Sequence, residues 1–224
     1  MRNVVILGSG GMAAELTFYI EDNNAKVLDI DKINIIGYID YENAKQKFWG
    51  KYNFKAPLIC DIDTYQPKAN EEVILGIGNV NVRQEMVSKL LSKKARIGSF
   101  VHHSVIMPKA FKWGIGNVVF PFCIIEQNAI MGNYNLMTSY SFISHDCCVG
   151  NNNFFSIAGL AGNVKVGNNN FFGIRSTVIP GISIGHKNII QAGMVIDKNI
   201  EDETTVFFRY KEKVLAIPKQ VNTK

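Results

Sequence analysis

From Trp113 onward an apolar residue returns at every sixth position: Val119, Ile125, Met131, Met137, Ile143, Val149 and Phe155. After one five-residue step the series resumes at Leu160 and continues through Val166, Phe172, Val178, Ile184 and Ile190 to Ile196. The chain is 47% hydrophobic. At that composition, fifteen apolar positions in a fixed register arise by chance roughly once in 10⁵ trials. Helical periodicity does not hold a six-residue register over such a length, and two-residue alternation does not single out one site in six. The pattern predicts a three-sided parallel β-helix with three short strands per coil. Each inward residue stacks on its equivalent one coil away, as in the ladder Met131, Val149, Val166, Ile184, in which Val166 comes one residue early. Glycines 114, 132, 150, 167, 173 and 185 follow the inward positions, where corners need unusual dihedrals or close packing. Asn151–Asn153 and Asn168–Asn170 suit corners because asparagine tolerates left-handed backbone. Phe100 to Lys112 reads as an imperfect first coil. Ile200 to Thr204 breaks the pattern, and VFFRYKEKVLAIP beyond it reads as strand, loop or short helix beside the end of the coil.

The first half has a different rhythm. Asn3–Leu7 reads as a buried strand, Gly8-Ser9-Gly10-Gly11 as a turn, and Met12–Asn23 as a helix. Ile35–Ile39 gives a second strand ending at Asp40. Val73–Ile77 gives a third, followed by Gly78-Asn79 and an amphipathic helix over about 81–92. Alternating strands and helices predict a small, Rossmann-like parallel α/β sheet, with Tyr41–Asp63 as a weakly periodic connection. The organisation expected is an α/β domain over 1–98, a β-helix over 99–205 and a basic segment over 206–224. A glycine-rich turn after the first strand brings backbone N–H groups towards an anionic oxygen. Here it lacks the third glycine of the dinucleotide fingerprint, and the unit is short for a whole NAD-binding domain. Two readings stand, a nucleotide-linked ligand or a purely structural tight turn. Asp40 is a candidate acceptor for a base or ribose, and Gly78 and Asn79 form the next candidate rim.

Charge and cysteine content narrow the classes. Residues 1–98 nearly balance, with 13 Lys/Arg against 12 Asp/Glu. From 113 to 196 the charged residues are Glu126, Asp146, Lys165, Arg175 and Lys187. So little charge on a coil predicts that other subunits cover part of it. The basic residues form no stripe interleaved with aromatics, so nucleic acid is not the expected partner. No apolar run has spanning length and the N-terminus lacks signal-peptide character, so membrane insertion is not expected and a cytoplasmic location is. Cys60, Cys123, Cys147 and Cys148 match neither zinc-finger spacing nor a secreted disulfide framework, and the adjacent pair reads as apolar filler. Of the four histidines, His102, His103 and His186 read as structural or solvated. His145 differs, since it lies in Ser-His-Asp at a coil corner. There an imidazole can act as general base, oriented by the neighbouring Asp146; a structural corner pair is the alternative. No metal site is expected.

Taken together, VVILGSGGMA near the start, GYID at 37–40, LGIGNVNVR at 75–83, SHDCCVG at 144–150, AGNVKVG at 161–167 and FFGIRSTVIPGISIG at 171–185 resemble the left-handed β-helix sugar O-/N-acyltransferases of the sialic-acid O-acetyltransferase and bacillosamine N-acetyltransferase type. The resemblance, not the spacing, implies the left-handed sense of the coil. It also implies acetyl-CoA as acyl donor, a nucleotide-linked (UDP or dTDP) 4-amino sugar as acceptor, and a homotrimer with active sites between subunits. By motif, His145 matches the general base and Asp146 its acidic partner. Gly8, Ser9, Gly10, Gly11, Asp40, Gly78 and Asn79 match the nucleotide-sugar side, and Gly162 and Asn163 the coil edge that meets the thioester. A backbone N–H near Gly159 or Gly162 is expected to receive the negative charge developing on the carbonyl oxygen. Arg175, Lys187, Lys198 and the basic tail are expected to contact CoA phosphates.

The chain departs from the family pattern at Phe154, where a second histidine is common, and at Met12, where the glycine turn commonly ends in histidine. It departs also at the short Ser156–Gly159 run and in the terminal segment. Sugar O-acetylation and a non-catalytic nucleotide-sugar scaffold are the alternative readings.

Overall fold

The computed structural model describes residues 1–41, 47 and 49–208. In the N-terminal half, β1 (Arg2–Leu7), β2 (Ile33–Asp40), β3 (Leu58–Asp61) and β4 (Glu71–Leu75) form one parallel sheet in the order β3-β2-β1-β4. Helix α1 (Gly11–Asn24) follows β1, and α2 (Val80–Ser92) follows β4. Strand alternation divides β1 between two cores. Val4 and Ile6 pack with Ala13, Leu16 and Ile20 of α1. Val5 and Leu7 pack with Met86, Val87 and Leu90 of α2.

The expected strands and helices are present, with two differences. The third expected strand ends at Leu75, so Ile77 lies in the loop. The connection after Asp40 conceals the edge strand β3 and a short 3₁₀ turn, Trp49–Lys51. Four residues at a sheet edge leave no alternation to read. Trp49 and Phe54 close over Tyr38, stacked on each other at 5.2 Å.

The second half coils as three parallel sheets of two-residue strands. The inward positions from Val119 to Ile196 are all buried, and Trp113 is partly so. The ladder Met131, Val149, Val166, Ile184 pairs in register, and Phe155 stacks on Phe172 at 4.8 Å and 8°. The first coil begins at Phe100–Val101, and the last rung pairs Thr205–Val206 with Ile189–Ile190. The coil therefore takes in Val206, the first residue of the segment expected to lie beside its end; 209–224 lie outside the described residues.

The glycines at 114, 132, 150, 167 and 185 are selected by close packing, since none has positive φ and a Cβ on Gly150 would meet Gly167 O at 2.6 Å. The left-handed residues come two positions later, among them Tyr134, Asn152 and Asn169 (φ 60°, 55° and 62°). After them stands a buried asparagine ladder, Asn117, Asn135, Asn153, Asn170 and Asn188. Each of Asn117, Asn135, Asn153 and Asn170 donates Nδ2 to a glycine carbonyl of the next coil and accepts the following asparagine's backbone N–H. The ladder stops where the coil does, with Asn188 Nδ2 unpartnered among the described residues. Replacing Asn153 by alanine orphans the Asn170 N–H and removes a donor from Gly167 O. It is expected to destabilise the chain by about 2–4 kcal/mol, read as a shift in denaturant midpoint.

The five-residue step is a three-residue turn, 156–158, where the neighbouring corners use four. It forces Ile157 to φ 49°, a conformation that a β-branched side chain resists.

The N-terminal domain lies against one sheet of the coil, where Phe100, Val118, Phe120, Leu136 and Phe154 join the core around α1. Among the described residues no helix is long and apolar enough to cross a membrane.

Candidate active site

His145 occupies the corner between the strands Phe142–Ile143 and Cys148–Val149. Its Nδ1 lies 2.8 Å from Asp146 Oδ2, and the two side chains are 61% and 50% exposed. Asp146 is the left-handed residue of this corner, at φ 60°. Its other oxygen accepts from Asn128 Nδ2 at 3.1 Å. The hydrogen bond from His145, then that from Asn128, holds the Asp146 carboxyl below its ordinary range. The carboxylate therefore stays charged at neutral pH and its pairing is lost only as pH falls through that lowered range. Glu126 Oε2 accepts the His145 backbone N–H at 3.1 Å.

Glu126 and Asn128 are partners that motif reading did not assign. The eighteen-residue coil register is the signal that finds them, since Asn128 stands one coil below Asp146. A cavity of about 500 Å³ at the same corner is lined by Asn128 with Lys109 and Lys112.

Gly162 lies against the imidazole. A Cβ there would approach His145 Cε1 to 2.6 Å and Nε2 to 2.7 Å, so only glycine leaves room for the ring in this position. Asn163 donates its N–H to His145 O at 2.9 Å and is left-handed, at φ 59°. Of the two expected backbone donors, Gly159 must be corrected. Its N–H is bound to Ser176 O at 3.0 Å within the coil ladder. The Gly162 N–H has no partner among the described residues. Cys147 is buried and donates towards Ala161 O, whereas Cys148 is exposed and is not the core filler expected of the pair.

The basic residues expected to meet CoA phosphates occupy three different corners. Arg175 follows the strand Phe171–Phe172, Lys187 follows Ser183–Ile184, and Lys198 follows Val195–Ile196. Only Lys198 shares the corner of His145, and Lys187 is paired with Glu203 at 2.7 Å. One chain thus does not gather them into a single phosphate site. The basic tail lies outside the described residues.

In the N-terminal domain the expected ligand residues do converge. Gly8, Ser9, Gly10, Gly11, Asp40 and Gly78 line one cavity of about 360 Å³. Gly8 has φ 107°, and a Cβ on it would meet Gly76 O at 2.8 Å. Asp40 Oδ2 accepts from Ser9 N at 2.7 Å and Ser9 Oγ at 2.6 Å, while Oδ1 accepts from Tyr41 N. Asp40 therefore clamps the turn, and the Ser9 N–H is already taken. The donors that remain lie at the start of α1, whose N-cap, Gly10, provides no side-chain cap. Asn79 caps α2 by accepting from Val82 N at 3.0 Å. It lines an adjoining cavity of about 300 Å³ with Gly78, Phe154, Phe171 and Lys187.

These two halves of the expected site are not adjacent within one chain. The N-terminal domain packs on the sheet containing Leu136–Met137 and Phe154–Phe155, whereas His145 stands at the corner shared by the other two sheets, across the coil.

His102, expected to be structural or solvated, is buried and bridges Ser104 Oγ at 2.8 Å and Asp22 Oδ2 at 3.0 Å. Burial lowers its pKa. With His103 it forms a group whose ligand atoms lie within 4.8 Å of one another. Both His102 ring nitrogens are engaged: Nε2 ties the first coil to Asp22 of α1, and Nδ1 bonds Ser104 within the coil. His186 Nδ1 accepts from Asn168 N, taking the role asparagine plays on other coils.

Residues 3–90 match the family model described as the PglD N-terminal domain. PerB from Caulobacter crescentus, solved in complex with CoA and GDP-perosamine, is 22% identical, with a TM-score of 0.76 over 92% of this chain and 93% of that one. The acetyltransferase domain of PglB from Neisseria gonorrhoeae FA1090 is 16% identical, with a TM-score of 0.77 over 92% and 96%. WeeI from Acinetobacter baumannii AYE is 17% identical, with a TM-score of 0.61 over the same shares. The shared fold is an α/β domain followed by a left-handed β-helix of hexapeptide repeats.

Proposed function

We propose that this protein is an acetyl-CoA-dependent N-acetyltransferase acting on a nucleotide-linked 4-amino sugar. The observation that carries the reading is the exposed His145–Asp146 pair set over a glycine that leaves room for the ring. The cavity around the Gly8–Gly11 turn supports the nucleotide-sugar side. So do the relatives, since the Caulobacter protein is described as a perosamine N-acetyltransferase and was solved with CoA and GDP-perosamine.

In this reading His145 removes a proton from the amine as the nitrogen attacks the thioester carbonyl. The N–C bond forms, the C–S bond breaks, and the imidazole returns the proton to the departing CoA sulfur. Asp146 keeps the ring in one orientation and stabilises its charged form. The Gly162 N–H is the backbone donor available to the developing oxyanion. No protein nucleophile takes part.

The site is completed between copies of the chain, in a trimer. The width of the coil separates His145 from its own nucleotide cavity, so a neighbouring copy must supply the other half. Ile124, Ile130, Tyr140, Phe142 and Val195 stand exposed along the coil, apolar surface suited to that contact. An α/β domain over 1–98, a β-helix that runs on from 99 through Val206, and a cytoplasmic setting belong to the same proposal.

The test is a thiol-release assay with acetyl-CoA and UDP-, dTDP- or GDP-linked 4-amino sugars, with the corresponding hydroxyl sugars as controls. Release dependent on an amino sugar supports the proposal. Release dependent only on a hydroxyl sugar overturns N-transfer in favour of O-acetylation, and none with any acceptor leaves a scaffold. Asp146→Asn is expected to lower kcat on the order of tenfold or more by releasing the ring, measured at pH 7–8.

A further inference from the structure

Arg83 is the largest fully buried side chain among the described residues, at 0% exposure. It stands on the first turns of α2, and its guanidinium reaches out of the N-terminal domain to the coil. Nε donates to Asn152 Oδ1 at 2.7 Å, one terminal nitrogen to Asn153 O at 3.1 Å and the other to Ile77 O at 3.1 Å. Asn152 returns the contact by donating Nδ2 to Val80 O at 3.0 Å. The carbonyls of Ile77 and Val80 bracket Gly78 and Asn79. Gly78, which lines both cavities, and Asn79, which lines the one bounded by the coil, are therefore stapled on both sides to a single coil corner.

This staple is costly. Every acceptor that Arg83 finds is neutral, and no carboxylate pairs with it among the described residues. Burial lowers its pKa to about 9. Helix-to-coil packing alone needs no buried charge, because apolar groups of similar volume satisfy it without the desolvation cost. A planar fork with several fixed donors achieves something else, which is to hold two carbonyls and an amide at set distances and angles. Asn152 suits the other side because it adopts the left-handed corner conformation and still offers both an acceptor and a donor.

We infer that Arg83 is a positioning residue, clamping the Gly78–Asn79 rim to the Asn152–Asn153 corner and so setting where a ligand in the N-terminal cavities lies relative to the β-helix. The inference rests on the proposed function only for its effect on turnover. Its structural half stands alone.

Three variants test it: Arg83→Gln, Arg83→Lys, and Asn152→Gly, which keeps the corner conformation and leaves Arg83 intact. Backbone hydrogen exchange over 76–83 is expected to quicken on the order of tenfold in Arg83→Gln and Asn152→Gly, with protection in the coil core unchanged. In both, KM for the nucleotide-linked amino sugar is expected to rise on the order of tenfold while KM for acetyl-CoA stays put, with partial rescue in Arg83→Lys. Unchanged exchange over 76–83 overturns the clamp, even if a variant is poorly active. Equal loss towards both substrates, or general loss of protection, overturns the positioning role and leaves a plain stabilising contact. A wild-type protein that transfers no acetyl group refutes the proposed function, and the exchange measurement then decides the clamp by itself.

Discussion

Replacing His145 by alanine lowers turnover roughly 10²-fold or more while leaving the fold intact, because a general base contributes on that order to the transfer step. The ring is 61% exposed, and its main hydrogen bond is to a neighbour in sequence. Its removal therefore opens no core cavity and orphans no buried donor. Thermal unfolding and oligomer mass should match wild type, so that lost turnover reports chemistry. Asparagine at the same position offers a polar group of similar reach without a titratable nitrogen, and it should be as inactive as alanine. Turnover within a factor of three of wild type in either variant removes His145 from the mechanism.

Gly162→Ala is expected to have an effect of similar size from a single methyl group. The alanine Cβ would lie 2.6 Å from His145 Cε1, so the imidazole must swing away from the place in which it meets Asp146. Gly162 does not have the positive φ that disfavours alanine, so the backbone accepts the change. Displacing a base by about 1 Å costs on the order of 10²-fold in rate. The loss should fall on kcat, with KM for the nucleotide sugar little altered because that cavity belongs to another domain. Normal kcat in Gly162→Ala shows that the position of the ring seen here is not the working one.

The coil was legible because each inward position repeats the same physical demand, burial on a ladder, many times over. The catalytic corner was legible for a related reason. A charged Ser-His-Asp stands out where the surrounding coil carries little charge. Asp40 was found at its strand end, but its work on the Ser9 N–H and hydroxyl depends on the curl of the turn, which residue types do not reveal. Glu126 and Asn128 escaped because their relation to His145 exists only after eighteen residues have wound round one coil. Edge strand β3 escaped because four residues carry no period. The engagement of the Gly159 N–H, a ladder hydrogen bond, follows from strand pairing and overrides what the motif implied. Arg83 drew no reading of its own, standing at the end of LGIGNVNVR and within the expected helix, and nothing in the periodicity of α2 marks it as fully buried against the coil.

The central claim is that the imidazole of one copy serves a ligand carried by another. Mixed trimers test it most directly. Gly78→Phe fills the N-terminal cavities at a position of ordinary backbone conformation, where a Cβ makes only van der Waals contact. His145→Ala removes the base. Each variant alone should be inactive. When the two chains are unfolded together at equal amounts and refolded, turnover should recover to about one quarter of wild type, the share of interfaces that pair an intact cavity with an intact imidazole under random mixing. Mixed oligomers that form but stay inactive would contradict the account.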